Sequence, residues 1–192
     1  MVKVAIFHEG NAKKTHDNEL LQLLIEELSL PLENVKFVGM GTKSNFFKQD
    51  NDNYKELLLD IRRKAIQKAL LVVDADYPEN DSIYGGAEST QRELEKILIE
   101  LNLNEKVDIY VTCDPIEQNG YLESLILSTI PESDKNCIED FLDCSDFKSK
   151  ENHKAILNQI YKIAYPKAPF DFNHPNFNTL KTKLQTLFEG IA

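Results

Sequence analysis

Residues Ala69 to Asn80 read ALLVVDADYPEN. Leu70, Leu71, Val72 and Val73 form a short unbroken apolar run, as expected of a strand buried on both faces of a parallel sheet. Asp74 and Asp76 close the run. In an extended segment residues two apart point the same way, so both carboxylates are expected to lean toward one point just past the carboxyl end of the strand. In open α/β sheets that edge is where ligands sit. Two carboxylates held so close repel each other unless a proton or cation lies between them, and oxygen-rich clusters suit Mg²⁺ or Mn²⁺. The other account of the pair is a helix cap and a turn residue. The rest of the chain has to decide between them.

Upstream, Val2 to Phe7 predicts a first strand, with His8, Glu9 and Gly10 at its carboxyl end. Asn11 to Thr15 is polar and carries Lys13 and Lys14. Asp17 is expected to open an amphipathic helix through Leu20, Leu21, Leu23, Leu24, Ile25 and Leu28, broken at Pro31. Val35 to Val38 is a second short strand. Gly39, Met40, Gly41, Thr42 and Lys43 turn out of it, the glycines allowing a tight or positive-φ turn. Ser44 to Asn53 is polar and irregular, and Tyr54 to Gln67 predicts a helix that buries Leu57, Leu58, Ile61, Ala65 and Ile66. Downstream of the aspartates, Tyr77 to Gly86 reads as an exposed loop. Ala87 to Leu103 follows as a helix and Val107 to Thr112 as a fourth strand. This β-α-β-α-β-α-β order calls for a parallel sheet with helices on its faces.

A loop from Cys113 to Asn119 leads to a helix over about Gly120 to Ile130, which Pro131 ends. Asp134 to Asp143, Glu151 to Tyr165 and Asn176 to Glu189 also read as helices, the last two separated by a stretch with three prolines, Pro166, Pro169 and Pro175. The expected organisation is a Rossmann-like α/β three-layer sandwich over residues 1–131 with a central, mainly parallel, four-stranded sheet. Residues 132–192 are expected to form a helical C-terminal extension packed on the same domain.

A chain of 192 residues with 42% hydrophobic and 28% charged residues can bury a core of this kind. Its 32 acidic against 22 basic residues give a net charge of -10, which makes non-specific attraction to a polyanion weak. A nucleic-acid role would therefore rest on a local basic patch or on a metal. The three cysteines, Cys113, Cys137 and Cys144, form no CxxC pair and read as reduced intracellular thiols. No window approaches the ~18 consecutive apolar residues of a membrane span, and MVKVAIF lacks the pattern of a signal peptide. The expectation is a cytoplasmic protein of unspecified oligomeric state with no membrane partner. No Gly-x-x-x-x-Gly-Lys loop is present, which speaks against an ATPase within this chain.

In sheets of this kind the first and third strands can lie close enough for their carboxyl ends to share a site. Glu9, Asp74 and Asp76 would then converge from two separate turns. The pattern Phe7-His8-Glu9-Gly10, a helix, a strand leaving through Gly39-Met40-Gly41, and a strand ending in Asp74-Ala75-Asp76 resembles a Toprim-like domain. That is the metal-binding catalytic domain of type IA and II topoisomerases, bacterial primases and OLD-type nucleases. The resemblance covers about Val2 to Ile130 and is closest to small members that stand alone. It implies that Glu9 is a ligand or general acid/base and that Asp74 and Asp76 are Mg²⁺ or Mn²⁺ ligands. Through Asn119-Gly120-Tyr121-Leu122-Glu123 it also nominates Glu123 for a second metal, and it nominates Lys154 as an assisting lysine. The implied activity is phosphodiester hydrolysis on nucleic acid, DNA or RNA.

Two features depart from the family pattern. Asn11 to His16 lengthens the segment after Glu-Gly, and no partner domain for topoisomerase or primase action is present. Other accounts of single residues stay open. Glu9 could pair with Lys13 or Lys14, Glu123 could be a solvated first-turn glutamate, and His8 and His16 could be ordinary loop histidines. Tyr121, Tyr161 and Tyr165 could stack on bases or sit at the core edge. Lys148, Lys150, Lys154, Lys162 and Lys167 could form a basic face or a solvated one. A phospho-acceptor receiver domain would want an acidic pair after its first strand and a lysine after a late one, where His8-Glu9-Gly10 and Thr112-Cys113 stand. The remaining alternative is a non-catalytic Toprim-like module that binds metal or protein.

Overall fold

The alternation of apolar strands and amphipathic helices is realised in a computed structural model, which describes residues 3–11, 15–144 and 170–191. Four strands, β1 (Val4–His8), β2 (Val35–Gly39), β3 (Lys68–Asp74) and β4 (Val107–Thr112), form one sheet in the order β2-β1-β3-β4. Every pairing is parallel, with Phe7 opposite both Val38 and Leu71, and Asp74 opposite Thr112. The α-helices among the described residues are α1 (His16–Glu27), α2 (Asp52–Arg62), α3 (Ala87–Glu100), α4 (Leu122–Leu127), α5 (Glu132–Cys144) and α6 (Asn178–Phe188). The fold is thus α/β and Rossmann-like, with helices on both faces of the sheet.

Strand alternation sorts the core into two layers. Val4, Ile6, Leu70 and Val72 point to one face, where they meet Leu20, Leu21, Leu24 and Ile25 of α1, Leu122, Leu125 and Ile126 of α4, and Leu180, Leu184 and Leu187 of α6. Ala5, Phe7, Ala69, Leu71 and Val73 point to the other, against Tyr54 and Leu57 of α2 and Leu94 and Leu98 of α3. The last helix therefore belongs to the same core as the first strand. Lys68 strengthens that docking by donating from Nζ to the carbonyls of Thr186 and Glu189 at 2.9 and 3.0 Å.

Several element ends differ from the sequence expectation, each for a local reason. Helix α1 begins at His16, one position before the expected Asp17, because the Thr15 hydroxyl accepts the Asn18 N–H and serves as N-cap. Helix α2 stops at Arg62, five residues short of the expected Gln67. Lys64 takes φ 58°, and the N–H groups of Lys64 and Ala65 donate to the Ile61 and Asp60 carbonyls, closing the helix in a Schellman motif. Helix α4 is shorter than expected at both ends, and all six of its residues are buried. The helix expected over Glu151 to Tyr165 lies outside the described residues.

The chain runs outward from β1 to β2, then crosses back to β3. The order of winding therefore reverses between β1 and β3, the place where an open α/β sheet leaves a crevice at its carboxyl edge. Glu9 leaves one of these strands, and Asp74 ends the other.

Candidate functional site

Two glycine turns set the position of Glu9. Gly10 and Gly41 exchange main-chain hydrogen bonds at 2.7 and 2.9 Å, both with positive φ (77° and 82°), so the exit of β1 is pinned to the exit of β2. At Gly10 a side chain would also meet Thr15 Cγ2 at 2.6 Å. With its main chain held, Glu9 reaches across to β3, where its Oε1 accepts the Asp74 N–H at 3.0 Å.

His8 supports this turn from beneath. It is fully buried, and the short Nδ1 contact to the Glu9 carbonyl, 2.7 Å, makes Nδ1 the protonated nitrogen; Asn18 Nδ2 then donates to Nε2 at 3.4 Å. Burial holds the His8 pKa below its ordinary value, opposed by the hydrogen bond to Glu9, so the neutral ring is favoured. His8 is therefore a buried structural partner of the Glu9 turn. The side chain of His16 lies outside the described residues, as do Lys13, Lys14 and Lys154.

Asp74 is 2% exposed, and its Oδ1 accepts the Leu122 N–H at 3.1 Å. This bond brings the first turn of α4 to the end of β3. Glu123 follows directly and is itself buried. Glu9, Asp74 and Glu123 thus arrive from three separate turns at one edge of the sheet. Among the described residues, no group of three or more His, Cys, Asp or Glu side chains encloses a ready-made metal position.

Asp76 is placed differently. The strand ends at Asp74, and Asp76 takes φ 57°, so the two-residue alternation that would aim both carboxylates one way does not continue. Its main chain instead pairs with Gly120, with N–H···O distances of 2.8 and 3.2 Å in the two directions. Its Oδ2 lies 3.3 Å from Lys43 Nζ. The structure therefore gathers Asp74 with Glu9 and gives Asp76 a lysine partner.

Further residues at this edge escaped the reading of the sequence. Lys43 is buried beside Asp76. Asp114 is also buried; its Oδ1 accepts the N–H groups of Ile116 and Glu117 at 2.8 and 3.2 Å, and its Oδ2 lies 3.2 Å from Lys135 Nζ. Asp114 in CDPIE carries an Asx-turn signal, aspartate before proline, that could have been recognised. Tyr121 is buried, with its hydroxyl accepting from Asn80 Nδ2 at 3.2 Å, so it belongs to the core edge and not to a base-stacking platform. Tyr161, Tyr165 and the five lysines of 148–167 lie outside the described residues.

The loop expected between Tyr77 and Gly86 is internally ordered. Asp81 Oδ1 accepts the Ile83 and Tyr84 N–H groups at 3.1 and 2.9 Å, and the Tyr84 ring stacks on Phe47 with centroids 3.8 Å apart. No helix among the described residues is long and apolar enough to cross a membrane. No protein-family model matches the chain, and comparison with curated proteins gives no match.

Proposed function

We propose that this protein is a cytoplasmic, divalent-metal-dependent phosphodiester hydrolase acting on nucleic acid, with a Toprim-like site built on Glu9, Asp74 and Glu123. The observation that carries the reading is the Glu9–Asp74 hydrogen bond, which fastens two carboxylate-bearing turns together at the crevice between β1 and β3.

The donor chemistry fits a hard cation. Asp74 and Glu123 are both buried at the carboxyl edge of the sheet. All three side chains offer oxygen alone, the set preferred by Mg²⁺ and Mn²⁺. When bound, such an ion would neutralise a phosphate oxygen, stabilise the charge of an in-line displacement and lower the pKa of the attacking water.

The protein's own groups have separable tasks. Asp74 is held in orientation by the Leu122 N–H. Glu9, anchored through the Asp74 N–H, takes the proton from the attacking water as general base. A cation at the site also lets a chain of net charge -10 approach a polyanion. Lys154, outside the described residues, remains the proposed assisting lysine.

Nicking of supercoiled plasmid and cleavage of labelled RNA, each with Mg²⁺ or Mn²⁺, test the proposal. Wild-type protein should cut at least one of them, and Glu9→Gln should lower the rate about a hundredfold. Tight ion binding without cleavage of either would favour the non-catalytic module.

A further inference from the structure

Strand β4 closes the sheet on one side, so one of its main-chain edges has no neighbouring strand among the described residues. The Ala69 and Ala75 N–H groups donate to the carbonyls of Lys106 and Thr112, so the even-numbered residues of β4 bond to β3, and Val107, Ile109 and Val111 turn their N–H and C=O groups outward. Two of these outward donors are already used. The Val107 N–H reaches the Leu103 carbonyl at 2.9 Å, and the Ile109 N–H reaches Asp108 Oδ1 at 2.8 Å. Lys183 of α6 holds that carboxylate from 2.7 Å. An aspartate turned onto its own strand edge blocks pairing with another strand, and here it guards only the first half of β4. The Val111 N–H has no partner among the described residues. Beside it lies an open cleft of about 450 Å³, walled by Glu88 and Gln91 of α3 on one face and by Thr179 and Lys183 of α6 on the other.

We propose that this stretch of β4 is a docking site for an extended, basic segment of a partner protein, which adds a strand to the sheet at Val111 and sets a lysine or arginine against Glu88. The inference goes beyond the hydrolase reading and does not depend on it. Outward N–H and C=O groups at strand spacing are the complement of an extended main chain. Strand alternation then fixes where the side chains go. Ile109 and Val111 pack with the layer that holds α3, and Tyr110 with the layer that holds α6, so a partner residue level with Val111 lies on the α3 side whichever way the segment runs. Glu88 stands exposed on that side, with no ion-pair partner among the described residues. Charge selects the occupant. A second copy paired edge to edge about a two-fold axis would set α3 against its own counterpart, and α3 carries four glutamates against one arginine and one lysine. It would also join two chains of net charge -10. A basic segment meets both Glu88 and the whole chain with opposite charge.

Fluorescence anisotropy with a labelled Thr-Val-Thr-Lys-Thr-Val-Thr peptide tests the proposal, since the palindromic order presents the same faces in either direction. Wild-type protein should bind it at least about fivefold more tightly than the same peptide with a central glutamate, and Glu88→Gln should remove that preference. Val111→Pro should weaken binding about tenfold or more, because the N–H it loses points away from β3 and proline is tolerated on edge strands. If that variant fails to fold by circular dichroism, amide exchange of wild-type Val111 decides in its place. Saturating peptide should slow it at least about tenfold, and unchanged exchange overturns the proposal. No binding at millimolar peptide, equal affinity for the two peptides, or unaltered binding by folded Val111→Pro overturns it as well. A wild-type dimer in sedimentation that Val111→Pro dissociates gives the edge to a second copy, and a Val111 amide already protected in the free monomer gives it to the protein's own chain; either result overturns the proposal.

Discussion

The Asp74 N–H donates to Glu9 Oε1 at 3.0 Å across 65 positions of sequence. One hydrogen bond thereby joins the turn after β1 to the end of β3. It exists because β1 and β3 are parallel neighbours, with Phe7 opposite Leu71, so their carboxyl ends open on the same side of the sheet.

The Glu9 turn depends on Gly10 in two ways. Its φ of 77° suits glycine, and a β-carbon there would meet Thr15 Cγ2 at 2.6 Å. Gly10→Ala should therefore lower stability by about 1–3 kcal/mol, measured by urea denaturation. It should also weaken Mn²⁺ binding, because the same strain displaces Glu9. An unchanged denaturation midpoint would contradict this account of the turn.

Helix α6 is part of the main core. Leu184 is fully buried in the layer that holds Ile6 and Leu70. Leu184→Ala should cost about 3 kcal/mol while unfolding stays a single transition. A loss below about 1 kcal/mol, or a separate early transition for the C-terminal part, would show that α6 is only an appendage.

The three thiols should differ sharply in reactivity. Burial, with the anions of Asp114 and Asp74 nearby, pushes the Cys113 thiol up to about 11, whereas Cys137 and Cys144 are exposed. Iodoacetamide at about pH 8, followed by peptide mass spectrometry, should label Cys137 and Cys144 first, with Cys113 lagging by roughly a hundredfold until the protein is unfolded. Equal rates would contradict the closed surroundings of β4's carboxyl end.

What the sequence revealed and what it concealed follow from the kind of contact involved. The Leu70 to Val73 run and the leucine spacings of α1 and α3 are side-chain patterns, so the parallel sheet and the meeting of Glu9 with Asp74 were legible in them. The placing of Asp76 was not, because the alternation rule assumes an extended backbone and φ at Asp76 is 57°. Lys43 was hidden more deeply. Its partners include two main-chain carbonyls, which carry no residue identity. Nothing in Gly41-Thr42-Lys43-Ser44 distinguishes it from the exposed Lys48 nearby. The early end of α2 likewise turns on Lys64 at φ 58°, a residue type that gives no warning of a left-handed stop.

The most direct test of the central claim is Mn²⁺ calorimetry on wild type and on Asp74→Asn, with plasmid nicking followed in the same samples. The substituted amide keeps an oxygen for the Leu122 N–H and removes only the charge, so the fold should be retained. The account predicts micromolar to sub-millimolar binding by the wild type, at least a roughly hundredfold weaker Kd for the variant, and loss of nicking in parallel. Equal Mn²⁺ affinity in the two proteins, or no binding by the wild type at millimolar ion, would contradict a metal centre at Asp74.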